Sequence, residues 1–387
     1  MRIKSIALLT GNFPPMTGGI SNYLDTIFKN LAQVHTTIIC LPTPGWGTFD
    51  PQQNYRVRRI NIPETWHPFY KQFKYLFPAY LAELFKKRNL DFVLCGHAHH
   101  SLLLSAWIYS IVKKVPYGVF IYGLDICHVQ RHNYKIVYNF LVKQAKIVIA
   151  CSQATARIIE NLGIPAEKVV VINPPITFNR FTNNNSVDII RKKYGLDGRK
   201  CILTVGHLVK RKGHDVVLRA LPRVLEEFPK ARYVIIGSGP NENHLKSLVD
   251  RMGLNEHVIF VGHVSDNELG SFYSASDIFI MASREIPEEG DIEGFGIVYL
   301  EANLFEKPVI AGRSGGIADA VIHEETGLLV DPNNEIEVAE AIIRLLSDPL
   351  LTRRLGKRGR ERVLNKFTVE QAAQKLIRKL NSVGDSL

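Results

Sequence analysis

Short, continuously apolar runs recur along this chain, and amphipathic stretches separate them. Runs that are apolar at every position, rather than at alternate positions, are typical of parallel strands covered on both faces. Strands that alternate with helices predict doubly wound α/β sheets. We place strands at residues 3–10, 34–41, 57–60, 91–96, 117–122, 146–151 and 169–173, and then at 201–206, 233–237, 258–262, 278–281 and 308–311.

A polar interval that contains prolines divides the two series of strands. An Asn-Pro-Pro sequence at residues 173–175 ends the first series, and the polar stretch 179–186 follows as a linker. Helices predicted over residues 335–346, 350–367 and about 369–380 close the chain. The sequence therefore predicts an α/β protein of two Rossmann-like domains facing across a cleft. The domains are residues 1–180 and 181–367, and a terminal helix crosses back so that residues 368–387 pack on the first domain.

The basic excess lies entirely in the first half of the chain. The 387 residues, 46% of them hydrophobic, suffice for two domains with cores and carry a net charge of +11. Residues 1–180 hold 20 Lys and Arg against 8 Asp and Glu, an excess of +12, whereas the remainder holds 28 against 29. This asymmetry indicates an anionic partner for the first half: a membrane surface, a nucleic acid or an acidic substrate.

Cysteine usage and the apolar runs favour a cytoplasmic protein. Five dispersed cysteines, with no Cys-x-x-Cys pair, are typical of reduced buried thiols, and they predict neither a disulfide framework nor a zinc site. The first ten residues resemble the start of a signal peptide, but their apolar core is too short, so a first strand is the better interpretation. The longest helix-like apolar run, Leu102–Val112, is well short of the roughly 20 residues that span a bilayer.

Two carboxylates bracket a glycine-containing turn in the stretch Glu293-Gly-Phe-Gly-Ile-Val-Tyr-Leu-Glu301. Gly294 and Gly296 allow a tight turn and the close approach of a ligand. The apolar run after them predicts a helix whose free amides and positive dipole end suit a phosphate. With Glu293 in the loop and Glu301 in the helix, the stretch fits a sugar nucleotide, which carries hydroxyls on both sides of a diphosphate. The alternative is a helix that binds no ligand and whose acidic N-terminal turn is stabilised by the helix dipole, because it would have the same spacing.

Two more loops with glycines or cations follow predicted strands, where open α/β sheets bind their ligands. Gly18 and Gly19 open the first helix with bare amides, as an ordinary tight turn also does. The loop 206–213 contains His207 and then Lys210-Arg211-Lys212, so it would bind a diphosphate directly or form a solvated basic turn. Its position after a strand favours the diphosphate.

Two further strand ends bear on the class of ligand. The Gly237-x-Gly239 turn lacks the third glycine of a dinucleotide site, because Glu242 stands there, and this disfavours an oxidoreductase. The strand that ends at His263 and Val264 is expected to present backbone groups to a nucleobase.

Histidines and acidic residues suggest metal sites that other features disfavour. His97, His99 and His100 follow one strand, but no carboxylate is near in sequence, so a loop at a strand end is the better interpretation than a metal site. The acidic run from Glu285 to Asp291 is interpreted as a solvated loop, with cation binding as the alternative. We therefore predict no metal site.

Taken in order, these motifs resemble the retaining glycosyltransferases of family 4, which have the GT-B fold. The stretch from Glu293 to Ala302 is similar to that of bacterial mannosyltransferases acting on phosphatidylinositol mannosides. The motifs that carry the resemblance are Gly18-Gly19, Gly206-x5-Lys212-Gly213, Gly237-x-Gly239, Glu293-Gly-Phe-Gly-x3-Leu-Glu301-Ala and Ser314-Gly-Gly.

The resemblance implies a role for each motif. Lys212 would bind the donor diphosphate, Glu301 the ribose hydroxyls and Glu293 the transferred sugar. The backbone amides from Phe295 to Ile297 would hold sugar hydroxyls and phosphates. Gly19 would approach the phosphates when the cleft closes. The nucleotide sugar is then a co-substrate, and neither a metal, another cofactor nor an enzyme nucleophile is needed.

Two residues depart from the family pattern. His207 stands where the family usually has an arginine, and Arg211 is the candidate substitute. Tyr122, grouped with Glu293 and Lys212 as a candidate catalytic residue, stands where the family often has a histidine. These departures bear on rate and donor preference, and they also favour an alternative, a sugar-nucleotide-binding module that has lost catalysis.

An aromatic and basic segment suggests membrane docking. Trp66–Phe77 and Lys86–Arg88 mix aromatic and cationic side chains, which suits an anionic leaflet, although a helix covering the sheet has the same composition. With the basic first half, this predicts a peripheral enzyme at the inner membrane face that uses a UDP- or GDP-sugar and a lipid-linked or glycan acceptor, in polysaccharide or glycolipid synthesis. A soluble transferase with a free sugar acceptor is the alternative, and a nucleic-acid partner is disfavoured because no recognition motif is present.

Overall fold

The computed structural model describes residues 2–16, 18–31, 33–60, 76–87, 89–130, 135–181 and 187–384. Most of the predicted docking segment 66–77, with Arg88, and most of the predicted linker lie outside these residues. The chain forms two compact units, Met1–Pro175 with Val369–Leu387, and Ile176–Thr368. The first unit thus ends at Pro175, where the sequence places the boundary after residue 180.

Within the described residues, the first unit holds a parallel sheet with the strand order β3-β2-β1-β4-β5-β6-β7. Its central strands are buried, as their continuously apolar sequences predict. The strands are β1 Ser5–Thr10, β2 His35–Cys40, β3 Arg56–Arg59, β4 Phe92–Cys95, β5 Tyr117–Ile121, β6 Ile147–Ala150 and β7 Val169–Val171. The helices of this unit that precede the second unit are α1 Gly19–Lys29, α2 Trp46–Phe49, α3 Leu76–Phe85, α4 His100–Lys113, α5 Leu124–Val129, α6 Lys135–Gln144 and α7 Gln153–Asn161.

The second unit repeats this plan with the strand order β10-β9-β8-β11-β12-β13, again parallel. Its strands are β8 Cys201–Val205, β9 Arg232–Ile236, β10 Val258–Gly262, β11 Ile278–Met281, β12 Val309–Gly312 and β13 Gly327–Val330. Its helices are α8 Val187–Lys193, α9 His214–Glu227, α10 Glu242–Arg251, α11 Asp266–Ala275, α12 Ile297–Leu304, α13 Ile317–Ala320, α14 Glu335–Ser347 and α15 Pro349–Lys366.

The terminal helix α16, Val369–Gly384, belongs to the first unit, as predicted. Its apolar stripe, which includes Leu376 and Leu380, is buried in the core that also holds side chains of α1 and β1. The amide of Ile3 donates to Asn381 Oδ1 at 2.9 Å, so α16 also contacts the residues that precede β1. The prediction of an α/β protein with two Rossmann-like sheets is confirmed.

Strand β13 is absent from the sequence prediction. It begins with Gly327, and a Cβ there would lie 2.4 Å from the carbonyl oxygen of Val309 on the neighbouring strand. A residue type that is depleted in strands is therefore required by close packing at this position.

The strand order reverses direction between β1 and β4 in the first sheet and between β8 and β11 in the second. The loops that follow such a pair of strands diverge, and ligands bind in the crevice that they leave. In the second unit these loops are residues 206–213 and 282–296, which hold the basic loop and the Glu293 turn.

Gly213 brings these two loops of the second unit together. Its φ of +69° is in the left-handed region, and an added Cβ would lie 2.0 Å from the carbonyl oxygen of Ala282, just after β11. Only glycine permits both the backbone conformation and the contact. Lys212 is thereby held beside the end of β11.

We expect Gly213→Ala to destabilise the protein by roughly 3 kcal/mol, the combined cost of left-handed strain and of overpacking against Ala282. Gly253→Ala is the matched control, because Gly253 has a φ of +67° but no atom within 4 Å of an added Cβ. Strain alone predicts a cost of about 1 kcal/mol there. Thermal unfolding followed by circular dichroism measures both, and equal losses for the two variants would contradict the close contact.

Candidate active site in the second unit

Glu293 lies in the loop between β11 and α12, where its carboxylate meets two cations. The residue is only 8% exposed. Its Oε2 accepts from Lys212 Nζ at 2.6 Å, from Arg211 Nη1, and from Ser283 Oγ at 3.4 Å. Burial raises the pKa of the Glu293 carboxyl, but the charges of Lys212 and Arg211 lower it by more, so the net pKa is below the ordinary value. The site therefore holds a buried, ionised carboxylate.

The acidic run before Glu293 pairs with the basic loop. Lys210 Nζ lies 2.8 Å from Glu289 Oε1, and Arg211 Nε lies 2.7 Å from Asp291 Oδ1. Glu289 is exposed, in keeping with the prediction of a solvated loop, whereas Asp291 is only partly exposed and pairs with a cation of this chain. Together with the pair of Lys212 and Glu293, these contacts give all three basic residues of the loop a carboxylate partner. A bound diphosphate would have to share or displace carboxylate contacts.

A second ion cluster, absent from the sequence predictions, supports the basic loop. Arg284 Nη2 lies 3.0 Å from each carboxylate oxygen of Asp215, and Arg219 Nη2 lies 2.6 Å from Asp215 Oδ2. The amide of Arg284 donates to the carbonyl of Arg211 at 2.8 Å. This backbone contact holds the basic loop against the end of β11. The helical spacing of Asp215 and Arg219 is the one sequence signal for this cluster.

Glu301 lies in the second turn of α12 and is 3% exposed. Its carboxylate accepts from Arg180 Nη1 at 2.9 Å and from Tyr273 OH at 2.8 Å. Burial raises the pKa of the Glu301 carboxyl above its ordinary value, although the charge of Arg180 and the hydrogen bond from Tyr273 oppose the rise. Arg180 also pairs with Asp266 Oδ1 at 2.7 Å. No motif marks Arg180, which lies 121 residues from Glu301 in the chain.

The turn between the two carboxylates has the predicted form. α12 begins at Ile297, and Gly296 precedes it with a φ of +85°. Phe295 is buried at 3% exposure and Gly294 lies in the loop beside it. The carbonyl of Glu293 accepts from the amide of Gly316 at 2.9 Å, which fixes the start of the turn. The N-terminus of α12 therefore lies between Glu293 and Glu301 along the chain, and helix N-termini are places where phosphates bind.

The glycines of the Gly-x-Gly turn have a packing reason. A Cβ on Gly237 would lie 2.0 Å from the carbonyl oxygen of Gly206, and a Cβ on Gly239 would lie 2.5 Å from that of Leu208. The turn after β9 thus packs against the backbone that carries His207, whose side chain is exposed. This contact accounts for Gly239 without a ligand.

The residues proposed to face a nucleobase lie at the end of β10. His263 is exposed and Val264 is half-buried. The carbonyl of Gly262 accepts from the amide of Gly237 at 2.8 Å, so the ends of β9 and β10 are joined. No hydrogen bond or ion pair joins either residue to the Glu293 cluster in the described part of this unit.

The remaining candidates belong to the first unit. Gly18 and Gly19 begin α1, and an added Cβ on either would meet no atom within 4 Å, so their surroundings are open. Tyr122 follows β5, and its hydroxyl donates to the carbonyl of Gly96 at 2.9 Å. Burial raises the pKa of Tyr122 well above its ordinary value. Because its one proton is already donated, Tyr122 is placed to accept rather than to donate a hydrogen bond.

The histidines after β4 form a small cluster. The rings of His97 and His99 have centroids 6.0 Å apart, and those of His99 and His100 are 5.7 Å apart. Burial, with a smaller contribution from His99, lowers the pKa of His97 to about 3, so its imidazole is neutral. Across the residues that the structure describes, no three His, Cys, Asp or Glu side chains group so as to hold a metal ion.

Family sequence patterns match both units of the chain. The pattern described as Glycosyltransferase Family 4 matches residues 17–180, and the one described as Glycosyl transferases group 1 matches residues 186–362. The chain belongs to the family 4 glycosyltransferases. The resemblance drawn from the ordered motifs is thereby confirmed.

Relatives of this glycosyltransferase extend over nearly its whole length. A GDP-mannose-dependent alpha-(1-6)-phosphatidylinositol monomannoside mannosyltransferase from Mycolicibacterium smegmatis is 29% identical over 374 residues, 93% of this chain and 94% of the relative. The structure of HepE from Anabaena in complex with UDP-glucose has a TM-score of 0.80 at 22% identity, covering 98% and 99% of the two chains. WaaG, a glycosyltransferase involved in lipopolysaccharide biosynthesis, has a TM-score of 0.71 at 16% identity, covering 97% and 99%. At these identities the two structures show that the fold is shared.

The ion pairs of Glu293 are expected to make the folding stability of this glycosyltransferase depend on pH. A carboxyl whose pKa is lowered on folding stabilises the protein above its unfolded pKa, about 4.3, and that contribution is lost as pH falls through the lower folded pKa. We expect Glu293→Gln to lower the free energy of unfolding by about 3 kcal/mol near neutral pH, because Lys212 and Arg211 then lack a buried counter-charge. The difference from the parent should shrink below about pH 4.

Thermal unfolding across that pH range measures the effect. Glu289→Gln is the matched control, since Glu289 pairs with the exposed Lys210 and its loss should change stability little. A deficit of Glu293→Gln that stayed constant down to acid pH would show that packing, rather than charge, is responsible.

Proposed function

We propose that this glycosyltransferase moves a hexose from a nucleotide sugar to a lipid-linked or glycan acceptor, with retention of anomeric configuration and without a metal ion. The observation that carries the proposal is the arrangement around α12. Glu293 with Lys212 and Arg211 lies before its first turn, and Glu301 lies in its second. These groups suit the sugar, the diphosphate and the ribose of a nucleoside diphosphate sugar.

Three parts of the donor, namely the diphosphate, the ribose and the transferred sugar, would each have a partner in this arrangement. The diphosphate would lie at the N-terminus of α12, where free amides and the cations of Lys212 and Arg211 attract it. Glu301 would accept hydrogen bonds from the ribose, and Glu293 from hydroxyls of the transferred sugar. The reported UDP-glucose complex of HepE and the GDP-mannose dependence in the name of the mycobacterial relative support a nucleotide-sugar donor.

Catalysis would come from electrostatic stabilisation of the leaving group. As the glycosidic bond breaks, negative charge develops on the diphosphate, and fixed cations and helix amides lower the barrier to that change. Glu293 holds Lys212 and Arg211 in place before a donor binds, and the diphosphate would share these cations with it. The acceptor hydroxyl would attack the face that the leaving group vacates and pass its proton to the departing phosphate. No protein nucleophile is needed for that sequence.

A lipid-linked acceptor at the inner membrane face is the favoured form of the proposal. The +12 excess of residues 1–180 favours an anionic surface, and the mycobacterial relative is named for a phosphatidylinositol monomannoside substrate. None of the helices in the described residues has the length and apolar character needed to cross a bilayer. A peripheral contact is the arrangement that we propose.

Release of nucleotide from a panel of UDP- and GDP-sugars tests the reaction. We expect slow hydrolysis of one donor, lowered by roughly a hundredfold or more in Lys212→Ala and Glu293→Ala, because each removes a charge at the leaving diphosphate or the sugar. Lys246→Ala is the matched control, since Lys246 is an ion-paired lysine on α10 of the same unit. Nucleotide binding without release from any donor, even with lipid extract, would instead support the binding module suggested by His207 and Tyr122. Absence of nucleotide binding would contradict the site.

Glu301 provides a separate prediction through its partner Arg180. Loss of the arginine charge in Arg180→Leu should raise the pKa of the Glu301 carboxyl beyond its already raised value. The ionised carboxylate accepts ribose hydroxyls better, so UDP or GDP binding should weaken by roughly tenfold at neutral pH and recover as pH rises. Isothermal titration calorimetry at several pH values measures the shift.

Two variants control this experiment. Glu301→Gln cannot ionise and should bind weakly with no such pH dependence. Arg223→Leu removes an arginine that pairs with Glu340 on the surface of the same unit, and it should bind as the parent does. An Arg180→Leu pH profile that superimposes on the parent profile would show that Arg180 does not control the charge of Glu301.

A further inference from the structure

Two neighbouring helices of the first unit expose large apolar side chains. On α4, Ile111 is 58% exposed, and on α6 Ile136, Val137 and Phe140 are 74%, 54% and 47% exposed. Trp107 joins the two sets, because its ring lies edge-on to that of Phe140 with centroids 5.6 Å apart. Ile111 lies one helical turn after Trp107, and Ile136 lies one turn before Phe140. We call these five residues the apolar ridge.

The ridge is additional to the core-facing stripes of α4 and α6. These helices already bury Leu103, Ala106 and Tyr109, and Tyr138 and Leu141, in the core against the sheet. A helix that is apolar on both its inner and its outer face is not explained by folding of a water-soluble domain alone. Clustered exposed apolar residues of this kind mark interaction surfaces.

Lysines flank the ridge, and acidic residues are scarce in the sequence of its two helices and the strands next to them. From residue 92 to residue 159 the sequence has seven Lys and Arg but one acidic residue, Asp125. The carboxylate of Asp125 is turned to the amides of Tyr122 and Ile126, which lie 2.9 and 3.1 Å from its Oδ1. The exposed lysines at the ends of the two helices and just beyond them are Lys113, Lys114, Lys135, Lys143 and Lys146.

We propose that the apolar ridge docks this glycosyltransferase on an anionic phospholipid bilayer. Apolar side chains of an interfacial helix enter the boundary between headgroups and acyl chains, and lysines beside them attract anionic headgroups. The inference rests on the proposed lipid-linked acceptor, and it places the docking surface on α4 and α6 rather than on the segment Trp66–Phe77. The alternative occupant is a second copy of the chain. A two-fold contact through the ridge would bring the lysines of both copies together, and this repulsion disfavours it.

Vesicle flotation of the full chain, without substrates, tests the surface. The vesicles are phosphatidylcholine mixed with phosphatidylglycerol, and phosphatidylcholine alone for comparison. We expect the parent to float with the anionic vesicles and Ile136→Ser/Phe140→Ser to float roughly tenfold less. The matched control is Ile336→Ser/Leu350→Ser, which removes apolar residues that are 53% and 82% exposed on the second unit, and it should float as the parent does.

A charge-reversal variant provides a second readout that does not depend on apolar packing. Lys135→Glu/Lys143→Glu changes exposed side chains at the two ends of α6 and should also lose flotation, as should the parent in high salt. Circular dichroism checks that each variant is folded. If Ile136→Ser/Phe140→Ser does not fold, the lysine variant decides.

Flotation of Ile136→Ser/Phe140→Ser and of Lys135→Glu/Lys143→Glu at the parent level would overturn the inference, as would a parent that does not float with the anionic vesicles. Sedimentation equilibrium covers the alternative occupant: a parent dimer that Ile136→Ser/Phe140→Ser converts to monomer, with flotation unchanged, would assign the ridge to self-association. Nucleotide release from the donor, measured without lipid, separates this inference from the proposed function. Release without flotation overturns docking alone, and flotation without release overturns the proposed reaction alone.

Discussion

The second unit depends on the contact of one buried carboxylate, Glu293, with two cations of the loop after β8. An ionised carboxylate out of water is costly unless counter-charges and hydrogen bonds meet it, and Lys212, Arg211 and Ser283 do so here. The partners come from strands on either side of the point where the sheet order reverses. The ion pairs therefore close the loops after β8 and β11 onto each other and leave the N-terminus of α12 beside them.

Close backbone contacts make that geometry possible. Gly213 lies against the carbonyl of Ala282, and Gly315 lies against that of Glu293, where a Cβ would come within 2.4 Å of the oxygen. Gly237 and Gly239 pack in the same way on the backbone of the basic loop. Glycines in such turns resemble a ligand-binding signature. Here these four glycines are explained by the close approach of one loop to the backbone of another. For the proposed transferase, the result is a set of cations fixed before the donor arrives.

The two units use charge differently. In the second, the basic loop and the acidic run neutralise each other, so its Lys and Arg do not create a bare anion-binding surface. In the first, lysines around α4 and α6 have no exposed acidic residue near them in sequence and border apolar side chains. A donor that makes specific contacts suits the paired arrangement, and a bilayer, which offers only a charged surface over an apolar interior, suits the other.

Hydrophobic periodicity and glycine turns are local signals, and from them the sequence predicts the fold class, most strands and the helix that begins at Ile297. The sequence also names α16 as a helix that crosses back, and its packing in the first unit confirms this. It also identifies Lys212 and Glu293 as candidate site residues. Folding is needed to bring Arg180 to Glu301 and Asp291 to Arg211, and to engage the Tyr122 hydroxyl with the carbonyl of Gly96. These partners lie 121, 80 and 26 residues apart, and no periodicity relates them. Side chains distant in the chain are matched only when the strand order brings their loops to one edge of a sheet.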